Sequence, residues 1–337
     1  MSGVQTLSVG DDDADVRLDR WFRKRYPGLT HGKLEKLLRT GQIRVDGRRA
    51  KAGLRLAAGN QVRVPPLGAE SEGRAHSKRA APPARDEDLA AVKDWVIYRD
   101  ENLIAINKPP GLAVQGGSGI RRHLDAMLGG LQFDAPERPR LVHRLDKDTS
   151  GVLLLARNAV TARSLTKMFR DKKLRKVYWA LTLGIPHPEK GRIDAAIAKR
   201  PVSGGGERMV AVADGAEATT YYTTLEAAGN SIAWLALLPL TGRTHQLRAH
   251  CADVLKCPIQ GDRKYLPDTD DAPQEGGFGA GLHLHARSLS LPHPGGGGAR
   301  RARLDIVAPL PEHMVESWRH LDFEQNLDGD PFAALQL

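Results

Sequence analysis

Two carboxylates, two cations and two hydroxyls crowd into one short segment, His143-Arg144-Leu145-Asp146-Lys147-Asp148-Thr149-Ser150-Gly151. Val152-Leu153-Leu154-Leu155-Ala156 follow at once. A short apolar run after a turn signal predicts a buried strand. The polar cluster then stands at the mouth of a rigid element, where reactive groups are well held. An ionised carboxylate there can attack an electron-poor carbon, stabilise developing positive charge or take a proton. On chemistry alone Asp146 and Asp148 are rivals for that role. A local purpose is also open, since Asp148, Thr149 and Ser150 can hydrogen-bond their own backbone in a turn.

The elements that must position this cluster are predominantly strands. Val96-Ile97-Tyr98 and Leu103-Ile104-Ala105-Ile106 read as two strands about a polar turn, and residues 177–183 and 231–238 as two more. Residues 159–170 have the spacing of an amphipathic helix with Val160, Leu165, Met168 and Phe169 inward. Gly-rich stretches at 203–206, 276–281 and 295–298 read as loops. None has the strand–loop–helix spacing of a phosphate-binding loop, so no nucleotide cofactor is expected.

Residues 1–15 carry Asp11, Asp12, Asp13 and Asp15 and read as an acidic disordered tail. Over 16–65, Leu18, Trp21 and Phe22 mark one helix. Thr30 can cap a second carrying Leu34, Leu37 and Leu38, and Asp46-Gly47 signals a hairpin. Residues 66–92 read as a flexible linker, 93–325 as the catalytic domain and 326–337 as a C-terminal tail.

The chain has 337 residues with 50 Lys and Arg against 40 Asp and Glu. The excess is local: residues 17–85 hold eighteen bases and five acids. A basic module of this kind points to a polyanion, nucleic acid first. The two cysteines, Cys251 and Cys257, exclude a disulfide scaffold. With His245 and His250 their spacing does not match metal-binding knuckles, so no metal is expected. The longest apolar runs are too short to span a bilayer and the N-terminus lacks a signal-peptide core, so the expectation is a soluble, cytoplasmic protein with no membrane partner.

The segment His143–Gly151 resembles the signature of the RluA/RluC/RluD-type pseudouridine synthases. Other segments extend the likeness over roughly 93–325. They are Asn107-Lys108-Pro109-Pro110-Gly111, Lys176-Val177-Tyr178-Trp179-Ala180, Thr241-Gly242-Arg243-Thr244-His245-Gln246-Leu247-Arg248, Pro258-Ile259-Gln260-Gly261-Asp262 and Leu284-His285-Ala286. The form is closest to RluC-like large-subunit rRNA enzymes. Arg17-Leu18-Asp19-Arg20 and Gln42-Ile43-Arg44-Val45-Asp46-Gly47 resemble an S4 RNA-binding domain.

The resemblance implies an α+β fold with a mixed, largely antiparallel central sheet, preceded by a small α/β S4-like domain. It implies isomerisation of uridine to pseudouridine in RNA, most plausibly 23S (large-subunit) rRNA or a precursor particle. That reaction breaks C1′–N1, turns the uracil and forms C1′–C5, and needs no cofactor. Asp146 becomes the catalytic carboxylate, as nucleophile or as base at C2′, and Asp148 a support for the loop. Arg243 is expected to keep Asp146 charged, with a phosphate clamp as the alternative. Tyr178 is expected to accept or relay the C5 proton, or else to stack on the base. Leu247 lies under the base or simply in the core. Arg144 is expected to fill the gap left by a flipped nucleotide. Arg17, Arg20, Lys33, Lys36, Arg39 and Arg44 become the RNA-contacting residues of the N-terminal module. His143, His245 and His250 read as satisfied structural histidines. A monomer is expected. Two other readings are a non-catalytic RNA-binding or ribosome-assembly factor on the same fold, and a glycosidase using Asp146 and Asp148. The intact set Asp146, Tyr178 and Arg243 speaks against the first, and the scarcity of tryptophan for sugar stacking against the second.

Overall fold

The apolar stripes of the first 67 residues settle into a small α/β unit. In a computed structural model, which describes residues 3–67, 84–117, 119–202, 206–266, 278–295, 303–325 and 329–335, the chain divides into Met1–Ala81 and Pro82–Leu337. In the first unit, strands β1 (Gln5–Ser8), β2 (Arg44–Val45), β3 (Arg48–Arg49) and β4 (Gln61–Val64) form one sheet in the order β1-β4-β2-β3. Helices α1 (Leu18–Arg25) and α2 (His31–Arg39) bury Leu18, Trp21, Phe22, Leu34 and Leu38 in a single core with Ile43, Val45, Leu56, Val62 and Val64. Thr30 caps α2, accepting from the Lys33 amide at 3.4 Å. Asp46 and Gly47 both adopt positive φ, 49° and 75°, as the tight β2–β3 hairpin demands.

Where it is described, from residue 3, the expected acidic tail over 1–15 is ordered chain. Chain from Gln5 to Ser8 pairs antiparallel with β4, and Val9 is buried in the core. Asp13 is buried too, because its two oxygens meet Lys24 and Arg25 at 2.8 Å each. Those cations hold its carboxyl below the usual range against the cost of burial. Asp13 therefore neutralises the basic end of α1.

The second unit opens with helix α3 (Asp86–Asp94), whose first turn holds Asp86, Glu87 and Asp88. Acids there suit the positive end of the helix dipole. Val92 is fully buried against Leu128 and Leu131, so the linker expected over 66–92 does not extend through 84–92. Residues 68–83 lie outside the described chain. Strands follow as β5 (Val96–Arg99), β6 (Leu103–Lys108), β7 (Arg140–Leu141), β8 (Ser150–Ala156), β9 (Arg175–Leu183) and β10 (Lys190–Asp194). Next come β11 (Ile197–Pro201), β12 (Glu207–Ala211), β13 (Thr219–Ala228), β14 (Ile232–Pro239), β15 (Leu284–Pro292) and β16 (Arg303–Val307). Among the helices are α4 (Leu124–Met127), α5 (Ala159–Arg170), α6 (Gln246–Ala249) and α7 (Glu312–His320).

Ten strands make one sheet in the order β10-β13-β14-β9-β15-β8-β6-β5, with β16 on β15 and β7 on β8. Its pairings are antiparallel except β8 with β15, which run parallel. β11 and β12 form a separate hairpin. The unbroken apolar runs arise because the sheet is covered on both faces. On β8, Leu153 and Leu155 enter one core while Val152, Leu154 and Ala156 enter the opposite one. On β14, Leu235 and Leu237 face one way and Trp234 and Leu238 the other.

Two further expectations change. Val160 on α5 is 70% exposed, whereas Leu165 and Met168 pack inward. Val160 is the second residue of the helix and faces away from the sheet. The C-terminal stretch is not a free tail where it is described: Phe332 is buried with Trp318 and Phe323, and Arg175 binds Asp330 and the Phe332 carbonyl. An aromatic surface on β9 and β14 gives it somewhere to dock.

Candidate active site

The cluster sits where the strand β8 begins. Gly151 adopts φ 109°, and a Cβ there would lie 2.3 Å from the Ala286 carbonyl oxygen of β15. Only glycine permits the two parallel strands to approach this closely. One residue earlier, Ser150 Oγ lies 2.8 Å from His285 Nδ1, and His285 Nε2 faces the Ala308 carbonyl at 3.2 Å. Two separated sequence segments thus lock together and fix the loop that bears Asp146. Lys108 fixes it from beneath. Its fully buried ammonium donates to the carbonyls of Pro109 (2.7 Å), Leu112 (2.9 Å) and Lys147 (3.0 Å). Burial pulls its pKa down to about 7, opposed by the charges of Asp148 and Asp146.

Asp146 opens into a cavity of about 650 Å³. Arg144, Tyr178, Arg243 and Leu247 line the same cavity, so five expected site residues from three distant segments converge. Nine Lys or Arg side chains line it, and Asp146 is its one carboxylate among the described residues. Asp148 is exposed and does not line the cavity, which separates the two acids that chemistry alone could not. Arg144 is exposed, with no hydrogen-bond or ion-pair partner among the described residues. Leu247 is 7% exposed, belonging to the core and the cavity wall at once.

Tyr178 is half-buried on β9, packed between two cores. Burial first, and then the nearby Asp146, push its pKa above the ordinary phenol value. At neutral pH it is a protonated phenol.

Arg243 does not hold Asp146. Its side chain is exposed and its Nε donates to the Glu217 carbonyl at 3.1 Å, with no ion pair to Asp146. The loop leads it outward because Gln246 Oε1 accepts from both Thr241 Oγ1 (2.7 Å) and the Arg243 amide (3.1 Å). The buried cations whose pKa values register the charge of Asp146 are Lys108 and Arg248. Arg248 is held by a two-pronged bond to Asp262, at 2.7 and 2.6 Å, with Asp262 fully enclosed. A fork-to-carboxylate contact of this kind is rigid as well as strong.

His245 has both ring nitrogens satisfied, as expected, and is also part of the cavity wall. It lines the cavity, with Nε2 4.0 Å from Asp146 Oδ2, and has φ 52°. Arg248 Nη1 donates to its Nε2 at 3.2 Å, while Nδ1 faces the Tyr265 hydroxyl at 3.3 Å. The Tyr265 hydroxyl proton goes to the Met209 carbonyl, 2.9 Å away. Tyr265 oxygen must then accept from Nδ1–H, which makes His245 neutral with its lone pair at Nε2. Burial and Arg248 accordingly hold its pKa down. His143 and His250 do serve the fold. His143 Nε2 accepts from the Leu154 amide at 2.8 Å and the ring stacks on Phe169. Buried His250 meets Thr220 Oγ1 and the Ala195 carbonyl. Cys251 and Cys257 are buried free thiols.

The residues left without a role by sequence reasoning, Lys108, Arg248 and Asp262, were all inside the quoted motifs. A buried pairing of Arg248 with Asp262, fourteen positions on, leaves no periodic signal. The six N-terminal cations are exposed. Arg17 pairs with Asp19, Lys33 donates to the Leu67 carbonyl and Arg44 to those of Gly41 and Gly47. Arg20, Lys36 and Arg39 have no such partner among the described residues.

Among the described residues one carboxylate faces a large cavity ringed by cations, an arrangement suited to a polyanionic ligand. The family described as RNA pseudouridylate synthase matches residues 102–253. The chain is 39% identical over 265 residues to ribosomal large subunit pseudouridine synthase C of Rickettsia bellii, covering 75% of this chain and 83% of that protein. It is 36% identical over 305 residues to RNA pseudouridine synthase 4, mitochondrial, of Arabidopsis thaliana, covering 78% of this chain and 64% of that protein, so it spans less than two thirds of that relative. Human RNA pseudouridylate synthase domain containing 4 superposes with a TM-score of 0.58 at 33% identity, covering 70% of this chain and 96% of that one. The chain belongs to the RNA pseudouridine synthases, isomerases of uridine in RNA. No helix among its described residues is long and apolar enough to cross a membrane.

Proposed function

We propose that this enzyme isomerises particular uridines of large-subunit rRNA, with Asp146 as the catalytic carboxylate. The observation that carries the assignment is the convergence of Asp146, Tyr178 and Leu247 on one cavity that has no second acid among the described residues. A uridine turned out of its stack enters this cavity. Asp146 meets the ribose as the glycosidic bond opens, as nucleophile at C1′ or base at C2′. Lys108 and Arg248 lie near enough to interact with its charge. Leu247 supplies an apolar floor, and Tyr178 acts as a neutral phenol that stacks on the freed uracil and can donate a hydrogen bond. A phenolate base at this position would have to overcome both burial and the charge of Asp146. Arg243, on the rim, contacts phosphate. Mapping rRNA pseudouridines with and without the protein tests the reading; identical maps and no activity on rRNA transcripts would refute it.

Arg144 takes the space vacated by the everted base, where a planar guanidinium can stack and hydrogen-bond together. Arg144→Ala is expected to slow reaction on a duplex-embedded target about tenfold more than on an unstructured oligonucleotide. Equal losses on the two would remove that role.

The residues before 82 form an S4-like module that grips RNA backbone through Arg20, Lys36 and Arg39, assisted by Arg17, Lys33 and Arg44. The catalytic unit of this reading follows residue 81. Deleting residues 1–81 is expected to weaken rRNA binding by about tenfold or more and to flatten its dependence on salt. An unchanged salt slope would exclude the module from binding. The enzyme works as a cytoplasmic monomer, to be checked by sedimentation and by fractionation of cells.

A further inference from the structure

Lys176 is the one half-buried cation of the cavity that lacks a counter-charge among the described residues. Arg248 has Asp262, Arg175 has Asp330 and Arg170 has Asp171. Lys176 has no hydrogen bond or ion pair among the described residues, and the nearby His143 is neutral, its lone pair already taken by the Leu154 amide. Burial lowers the pKa of Lys176, as expected for a desolvated cation with no acid beside it. Such an arrangement costs stability when the cavity is empty. It is relieved when an anion arrives.

The pleat of β9 says where. Val177 and Trp179 point into the aromatic core, and Lys176 and Tyr178 point the other way, into the cavity. Side chains two apart on a strand are spaced by about 6.6 Å. Tyr178 interacts with the charge of Asp146, so Lys176 stands about 6.6 Å along the strand from the residue that faces the catalytic carboxylate. Exposed Lys172 and Lys173 line the cavity on the same side, at the α5–β9 turn. We infer that Lys176 is a phosphate-binding residue that neutralises one backbone phosphodiester flanking the everted uridine, with Lys172 and Lys173 guiding the strand beyond it. This rests on the reading of the cavity as the site of uridine isomerisation, and extends it by assigning the anion its own seat.

The test uses the full-length protein and a short RNA stem-loop around a mapped target uridine. Lys176→Gln is expected to weaken binding about tenfold and to make the salt dependence shallower by about one released ion, while Lys176→Arg keeps the slope. A methylphosphonate at one flanking phosphate should cost the wild type about tenfold and cost Lys176→Gln little more, because each change removes the same contact. An unchanged slope in Lys176→Gln, or losses that simply add at every flanking phosphate, would overturn the assignment. If Lys176→Gln does not fold, the methylphosphonate scan on wild type decides: no single flanking position standing out would overturn it equally. Wild-type turnover of the unmodified stem-loop is read in the same series. Its absence would count against the isomerase reading, whereas turnover with no phosphate effect would count against Lys176 alone.

Discussion

Asp146→Asn is expected to abolish tritium release from RNA labelled at uridine C5, a loss on the order of 10⁴-fold or more, with RNA binding retained. The substitution keeps size and shape and removes only the charge. Little stability should change, since no ion pair ties Asp146 to Arg243 and His245 stands 4.0 Å away. The loss therefore reports on chemistry. Asp148→Asn is the natural control, because Asp148 is exposed outside the cavity, and it should cost less than about tenfold. Turnover by Asp146→Asn within a hundredfold of wild type would transfer the role elsewhere.

The second large effect concerns the fold and the site together. Asp262→Ala leaves the Arg248 guanidinium buried without its partner, and breaking one side of a buried pair costs about 3–5 kcal/mol. For a unit of this size the melting temperature should fall by on the order of 10 °C. Activity should fall further than stability explains, by about 10–100-fold at a temperature where the variant stays folded. Arg248 holds the neutral tautomer of His245 and supplies positive field at Asp146, and both depend on Asp262 aiming it. Arg243→Ala should leave the melting temperature unchanged, since that side chain is exposed and bonded only to a carbonyl. Equal melting of wild type and Asp262→Ala would remove the buried Arg248–Asp262 pair from the account of stability, and unchanged activity in Asp262→Ala would remove it from the account of the site.

The amino-acid order determined a good deal. Apolar runs bounded by turn residues specified β6, β8, β9 and β14, because a strand buried on both faces has no other composition available to it. Asp46-Gly47 specified its hairpin through positive φ. The resemblance carried by the motif cluster, rather than residue type alone, pointed to Asp146, Tyr178 and Leu247, and all three line the cavity. Tertiary structure decided what spacing does not encode. The acidic N-terminus became a strand and a counter-ion because β4 offered an edge and α1 offered two cations. The last residues docked because an aromatic face was open to them. That Asp146 lines the cavity while Asp148 lies outside it, and that Arg243 turns to the Glu217 carbonyl while Arg248 is buried on Asp262, depended on how distant segments pack. Burial follows from the packing of segments far apart in sequence, and charge acts through space in three dimensions, so neither could be read from the order of residues alone.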